Sequence, residues 1–99
     1  MPRVTYHPGA ETDQVATLDW YSSQSIEAAW RLLEDLERAT DTIEADPERF
    51  PQVGLGCRVY NLQKFPVSII FSIEPNSQLL IVAIAHAKRE PEYWSNRVQ

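Results

Sequence analysis

Apolar residues recur along this chain with two different periods. The short segment Arg3-Val4-Thr5-Tyr6 is β-branched and aromatic and reads as a strand. His7-Pro8-Gly9 breaks it. Pro8 suits a first helical turn, and Glu11 and Asp13 favour a helix N-terminus through the backbone dipole. The spacing of Val15, Leu18 and Tyr21 predicts a helix from about Ala10 to Ser22, with Trp20 off that stripe. Ser22-Ser23-Gln24-Ser25 is a turn and cap signal. Beyond it, Ile26, Ala29, Trp30, Leu33, Leu36, Thr40 and Ile43 step by threes and fours, and Glu27, Arg31, Glu34, Asp35, Arg38 and Asp41 fill the other face. This second helix ends at Asp46-Pro47, because a proline disfavours helix in the residue before it. Two amphipathic helices joined by a short link imply an antiparallel hairpin.

After Ala45 the period changes. Residues 48–56, with two glycines and a proline, read as a loop, and Arg58 to Leu62 as a strand. Lys64-Phe65-Pro66 interrupts. From Val67 to Ile73, alternation puts Val67, Ile69, Phe71 and Ile73 on one face, with Ser68 and Ser72 on the other. Glu74-Pro75-Asn76-Ser77 is a turn. Leu79 to Ala85 is apolar throughout, as expected of a central strand covered on both faces. The order β-α-α-β-β-β predicts an α+β fold: a helical hairpin packed on one face of a small antiparallel sheet, with the other face left open as a shallow site.

Composition narrows the function. At 99 residues the chain is one domain, spanning 1–99, with one core. No apolar run approaches the roughly 20 residues that span a membrane. The first residues carry no apolar signal region and the one cysteine, Cys57, has no internal partner, so a cytoplasmic protein is expected, with no metal and no cofactor. Cys57 reads as an inert thiol. The formal charge of −5 argues against a large nucleic-acid footprint, and no direct DNA binding by the chain alone is expected. The charge is unevenly spread. Acidic residues concentrate between Glu11 and Glu48, whereas the segment after the last strand carries His86, Lys88, Arg89, Tyr93, Trp94 and Arg97. A strand that delivers such a cluster at its end is a common way to build a site.

Four local patterns carry a family resemblance. They are His7-Pro8-Gly9-Ala10-Glu11 followed by Trp20-Tyr21; Ile43-Glu44-Ala45-Asp46-Pro47-Glu48-Arg49-Phe50-Pro51; Arg58 to Pro66; and Ala83 to Arg97, reading A-x-x-H-x-x-R-x-P-x-Y-W-x-x-R in outline. In order and spacing they resemble the ParE/RelE superfamily of type II toxin–antitoxin toxins, on the ParE-like plasmid-stabilisation side. The resemblance implies a bacterial toxin neutralised by a cognate antitoxin. It implies either binding to a protein target such as DNA gyrase, or messenger-RNA cleavage on the ribosome. A degenerate toxin that keeps only antitoxin binding is the third form.

Under the target-binding reading, Lys88, Arg89, Tyr93, Trp94 and Arg97 make the contact surface. Arg89 is favoured because its planar fork binds anions in a bidentate way. Under the nuclease reading His86 is the acid or base, and Arg89, Arg58 and Lys88 face the phosphate. Each residue also has a plainer role. His86 can end the strand and bond to backbone or a carboxylate. Arg58 can pair with the acidic helices. Arg97 can pair with Glu92 or Glu90. Tyr93 and Trp94 can simply pack. Relatives often carry tyrosine where this chain has Val67 and Phe71. Losing two candidate proton donors, together with the acidic total charge, weighs against RNA cleavage.

Overall fold

The computed structural model describes residues 3–98; Met1, Pro2 and Gln99, the ends of the expected domain span, lie outside the described residues. Strand β1 (Val4–Tyr6) leads into helix α1 (Pro8–Gln24) and helix α2 (Ile26–Ala45). Strands β2 (Gln52–Gly54), β3 (Cys57–Asn61), β4 (Val67–Ile73) and β5 (Leu79–His86) follow. Short 3-10 turns at Pro47–Arg49, Pro75–Ser77 and Ser95–Arg97 complete the order. The two helices pack against each other and α1 lies on β5. The α+β layer arrangement expected from the sequence is the one observed.

Two details of the sheet differ from expectation. It has five strands in the order β1-β5-β4-β3-β2, because Gln52–Gly54, read as loop, pairs with β3. It is also mixed, since β1 runs parallel to β5, with Val4 opposite Leu79 and Tyr6 opposite Ile81. Short connections force β2 to β5 to alternate in direction. No such constraint reaches β1, which is joined to the rest through two helices.

The helices begin and end on nameable side chains. His7 caps α1, its Nδ1 accepting the Gly9 N–H at 2.9 Å, and Pro8 occupies the first turn. Helix α1 runs on past Ser22 to Gln24, with the Ser22 and Ser23 hydroxyls donating back to the Asp19 and Trp20 carbonyls inside the last turn. Ser25 alone separates the helices. Its extended backbone ends α1, and its hydroxyl accepts the Ala28 N–H at 3.3 Å to start α2.

The buried stripes agree with the expected ones in part: Ala29, Leu36 and Ile43 are buried, and Leu18 and Tyr21 pack on the core, half-buried. On α2 the buried residues are Ala29, Leu32, Leu36, Ala39 and Ile43, while Ile26 and Trp30 stay exposed. On α1, Val15 is exposed and the fully enclosed positions are Ala10 and Asp13. Both stripes satisfy helical spacing on their own. Docking onto the sheet selects between them.

The main core lies between helices and sheet. Ala10, Leu32, Leu36, Ala39 and Ile43 meet Val67, Ile69, Phe71, Leu79, Ile81 and Ile84. The alternation expected of β4 holds. In β5 it shifts: Phe71 pairs with Ile81 and Ile70 with Ala83, so Val82 is the extra residue of a bulge. Val82 and Ala83 therefore both turn away from the helices, and Ile84 returns to them. The far face is not left open. Trp94, with Tyr93 and Val98 beside it, packs there on Cys57, Ile70, Val82 and Ala83, and Trp94 is only 4% exposed.

Candidate functional site

The C-terminal segment is held across the sheet edge by one buried carboxylate. Strand β1 pairs with β5 only as far as Ile81, where the His7 N–H donates to the Ile81 carbonyl. Past that point the outer backbone groups of β5 need other partners. The Ile84 N–H donates to Asp13 Oδ2 at 3.2 Å, and the Val82 carbonyl accepts from Arg97 at 3.0 Å. Arg97 closes the arrangement on Asp13 with two contacts, Nη1 to Oδ2 at 2.8 Å and Nη2 to Oδ1 at 3.3 Å. The Tyr93 hydroxyl lies 2.8 Å from Asp13 Oδ2 and 3.2 Å from the Ile84 carbonyl. It has one proton for these two acceptors, and the shorter, charge-assisted bond to the carboxylate is the stronger.

Gly9 is part of this geometry. A Cβ built there would stand 2.5 Å from the Arg97 guanidinium carbon, so any larger residue would force that side chain to shift from its bonds to Asp13. The shared environment shows in the titration of the partners. Burial first, then the bond to Asp13, pushes the Tyr93 phenol far above its ordinary range, although Arg89 and Arg97 pull the other way. The hydrogen bond to Asp13 raises the Arg97 guanidinium further, against the opposing effect of burial.

Beside this clasp lies a cleft of about 230 Å³ between α1 and the end of β5. Asp13, Thr17, Trp20 and Tyr21 line it from the helix, and His86, Lys88 and Arg89 from the strand end. The His86 ring sits 6.2 Å from Trp20 and 6.3 Å from Tyr21, and Tyr21 makes an edge contact with Phe65. Burial raises the Tyr21 phenol. His86 Nδ1 accepts the Lys88 N–H at 3.1 Å, which assigns the neutral ring's proton to Nε2. Lys88 Nζ stands 5.7 Å from the Trp20 ring centre, within cation–π range. The Arg89 guanidinium lies 3.7 Å from the Tyr93 ring centre and 3.8 Å from Asp13 Oδ1.

The positions of the sequence candidates divide into three groups. His86, Lys88 and Arg89 come together at the cleft. Tyr93, Trp94 and Arg97 turn inward: Arg97 keeps 15% of its side-chain exposure, and its partner is Asp13 rather than Glu90 or Glu92. Arg58 lies elsewhere. It pairs with Phe71 from β3 while His86 pairs with Val67 from β5, so the two lie four residues apart along β4 and two strand spacings apart across it. At about 3.4 Å per residue and 4.8 Å per strand, their backbones are roughly 17 Å apart. The Arg58 guanidinium donates to the Phe50 carbonyl at 2.7 Å and to the Glu48 carbonyl at 2.9 Å.

Sequence reasoning missed Asp13, Gly9, Trp20 and Tyr21. One signal was present: Asp13 falls three residues after Ala10 and four before Thr17, a charged residue on what becomes the inner face of α1. Cys57 is buried, and its thiol is raised by burial and then by the nearby Glu74. Among the described residues no cluster of His, Cys, Asp and Glu could hold a metal ion, and no helix is long and apolar enough to cross a membrane.

The family model described as the ParE toxin of type II toxin–antitoxin system, parDE, matches residues 4–91. The match therefore takes in Asp13, the cleft and β5, and stops short of Tyr93, Trp94 and Arg97. No curated protein matches the chain. Among solved structures, a chain of the chromosomal ParDE TA system from P. aeruginosa is similar, with a TM-score of 0.72 and 20% identity, covering 86% of this chain and 95% of that one. At that identity the likeness is one of fold.

Proposed function

We propose that this chain, which belongs to the ParE toxin family of type II toxin–antitoxin systems, is neutralised by a cognate antitoxin and acts by binding a protein target, with DNA gyrase as the candidate. One observation carries the reading. Lys88 and Arg89 stand exposed at the end of β5, beside the half-exposed Trp20, on a chain whose formal charge is −5. A cation pair next to an exposed indole suits a protein surface, because Trp and Arg supply much of the energy of such contacts. A nuclease that must approach ribosomal RNA would meet long-range repulsion from the rest of the molecule.

The alternative, ribosome-dependent messenger-RNA cleavage, draws support from His86, Lys88 and Arg89 sharing one cleft. It is weakened at Arg58, whose guanidinium is taken up by two loop carbonyls far from that cleft. Of the buried candidates, Tyr93, Trp94 and Arg97 serve this function by holding the turn that carries Lys88 and Arg89. The test is a gyrase supercoiling assay with the purified chain and with a K88A/R89A variant. Inhibition by the parent, weakened about tenfold or more in the variant, is expected. An unaffected supercoiling rate at every concentration sinks the gyrase reading. New 5′ ends on transcripts after induction, abolished by His86→Ala, would establish the nuclease instead.

A further inference from the structure

We propose that the cleft between α1 and the end of β5 is a recognition pocket for an antitoxin segment that presents a carboxylate side chain beside an aromatic one. This rests on the reading of the chain as a toxin held by an antitoxin, but not on the identity of its target.

The charges favour a carboxylate. Asp13 lines the cleft but adds no net repulsion, because Arg97 neutralises it at 2.8 Å. Arg89 shares that same carboxylate at 3.8 Å, so one acid faces two arginines and Lys88, and the cleft keeps a net positive charge on an otherwise acidic chain. Glu90 and Glu92 line a second groove, which Arg89 and His86 also border, and neither glutamate lines the cleft itself. Among the described residues, neither Lys88 Nζ nor the Arg89 guanidinium has a hydrogen-bond acceptor within 3.5 Å, and the nearest carboxylate oxygen to Arg89 is at 3.8 Å. Arg89 is nonetheless held in place. Its guanidinium is stacked at 3.7 Å on Tyr93, whose hydroxyl is tied to Asp13. A planar donor fixed in advance loses less freedom when a carboxylate arrives.

The shape and lining favour an aromatic neighbour. Trp20 is 49% exposed and stands with Tyr21 and His86 around a space of about 230 Å³. That is below the roughly 300–1,000 Å³ of sites for drug-sized ligands. It is the scale of a side chain inserted from a partner. A nucleotide could also stack on an indole with its phosphate on Lys88 and Arg89. A peptide is preferred because two cations on a chain of charge −5 give a polynucleotide little attraction.

The antitoxin is preferred over other proteins because family membership implies that partner. Occupancy of this cleft would cover Lys88 and Arg89 directly, so neutralisation and target binding would compete for the same cations.

The experiment uses the full chain labelled with ¹⁵N and the capped dipeptide acetyl-Asp-Phe-amide. Its controls are acetyl-Asn-Phe-amide and a short single-stranded RNA. The expected result is a saturable shift of the Trp20 indole and of the Lys88 and Arg89 resonances by the Asp peptide. The Asn peptide and the K88A/R89A variant should each bind about tenfold more weakly or worse. In the antitoxin complex those resonances should already be displaced and should no longer respond. Equal binding of the Asp and Asn peptides, or no shift at millimolar peptide, overturns the proposal. So does tighter binding of the RNA at the same resonances, or an unchanged response to the peptide in the antitoxin complex. A failed gyrase assay leaves these readouts unaffected, so the two readings fail separately.

Discussion

Removing the Asp13 carboxylate tests whether one buried acid holds the C-terminal segment in place. In Asp13→Ala the Arg97 guanidinium, with 15% side-chain exposure, keeps only the Val82 carbonyl, and the Ile84 N–H and Tyr93 hydroxyl lose their charged partner. Leaving one member of a buried ion pair uncompensated costs about 3–5 kcal/mol. A domain of this size has about 5–15 kcal/mol in total. At about 4–8 °C per kcal/mol for a domain of 60–100 residues, the melting temperature should fall by at least about 12 °C.

The reverse change should cost less. In Arg97→Met, Asp13 keeps the Tyr93 hydroxyl and the Ile84 N–H, with Arg89 at 3.8 Å. The double variant D13A/R97M removes both charges and should be more stable than D13A alone, since replacing a buried pair by apolar groups is far milder than orphaning one charge. Urea unfolding followed by circular dichroism and tryptophan fluorescence measures all three. If D13A costs under about 1 kcal/mol and the double variant is no better, the pair is screened by solvent. Docking of the tail would then rest on the apolar contacts of Trp94, Tyr93 and Val98.

Other consequences are smaller in scope. Gly9→Ala places a methyl against the Arg97 guanidinium, so it should destabilise by about 1–3 kcal/mol in the parent and markedly less in R97M, a coupling read from a double-mutant cycle. Tyr93 has a folded-state pKa raised above its ordinary value of 10.0, so its contribution is present below pH 10 and is lost as the unfolded chain ionises at higher pH. Tyr93→Phe should flatten the fall in stability above pH 10; an unchanged slope would place that fall elsewhere. Trp94→Ala empties the centre of the second cluster and should cost about 3–5 kcal/mol, whereas K88A/R89A, which removes the Arg89 stack on Tyr93 and its contact with Asp13, should cost about 1 kcal/mol by thermal melting.

Much of the architecture was legible in residue order. The change of period after Ala45, the Pro47 stop, the serine cap at Ser25 and the continuous apolar run of β5 are local signals with local causes, and the elements formed where those signals stand. The cation cluster at the end of β5 was legible too, since strand and cluster are adjacent in sequence. Other features were not. The helix stripes were legible only in part, with Leu18, Tyr21, Ala29, Leu36 and Ile43 inward but Val15, Ile26 and Trp30 exposed, because α1 puts Asp13 on its inner face and α2 carries more apolar residues than one face can bury. The parallel pairing of β1 and the strand at Gln52–Gly54 depend on neighbours far along the chain. The open sheet face expected from the pattern is covered because a bulge at Val82 turns two small apolar residues toward Trp94.

Periodicity, capping and composition act over a few residues, so the list of elements, their order and the placement of positive charge on an acidic chain could be read before any folding. Which side chains share an environment is settled by docking of the elements on one another. Asp13 and Arg97 are 84 residues apart, and only the docking of α1 against β5 makes the first a counter-ion for the second. The same docking sets Trp20 beside Lys88 and leaves Arg58 remote, which separates a cleft from a list of cations.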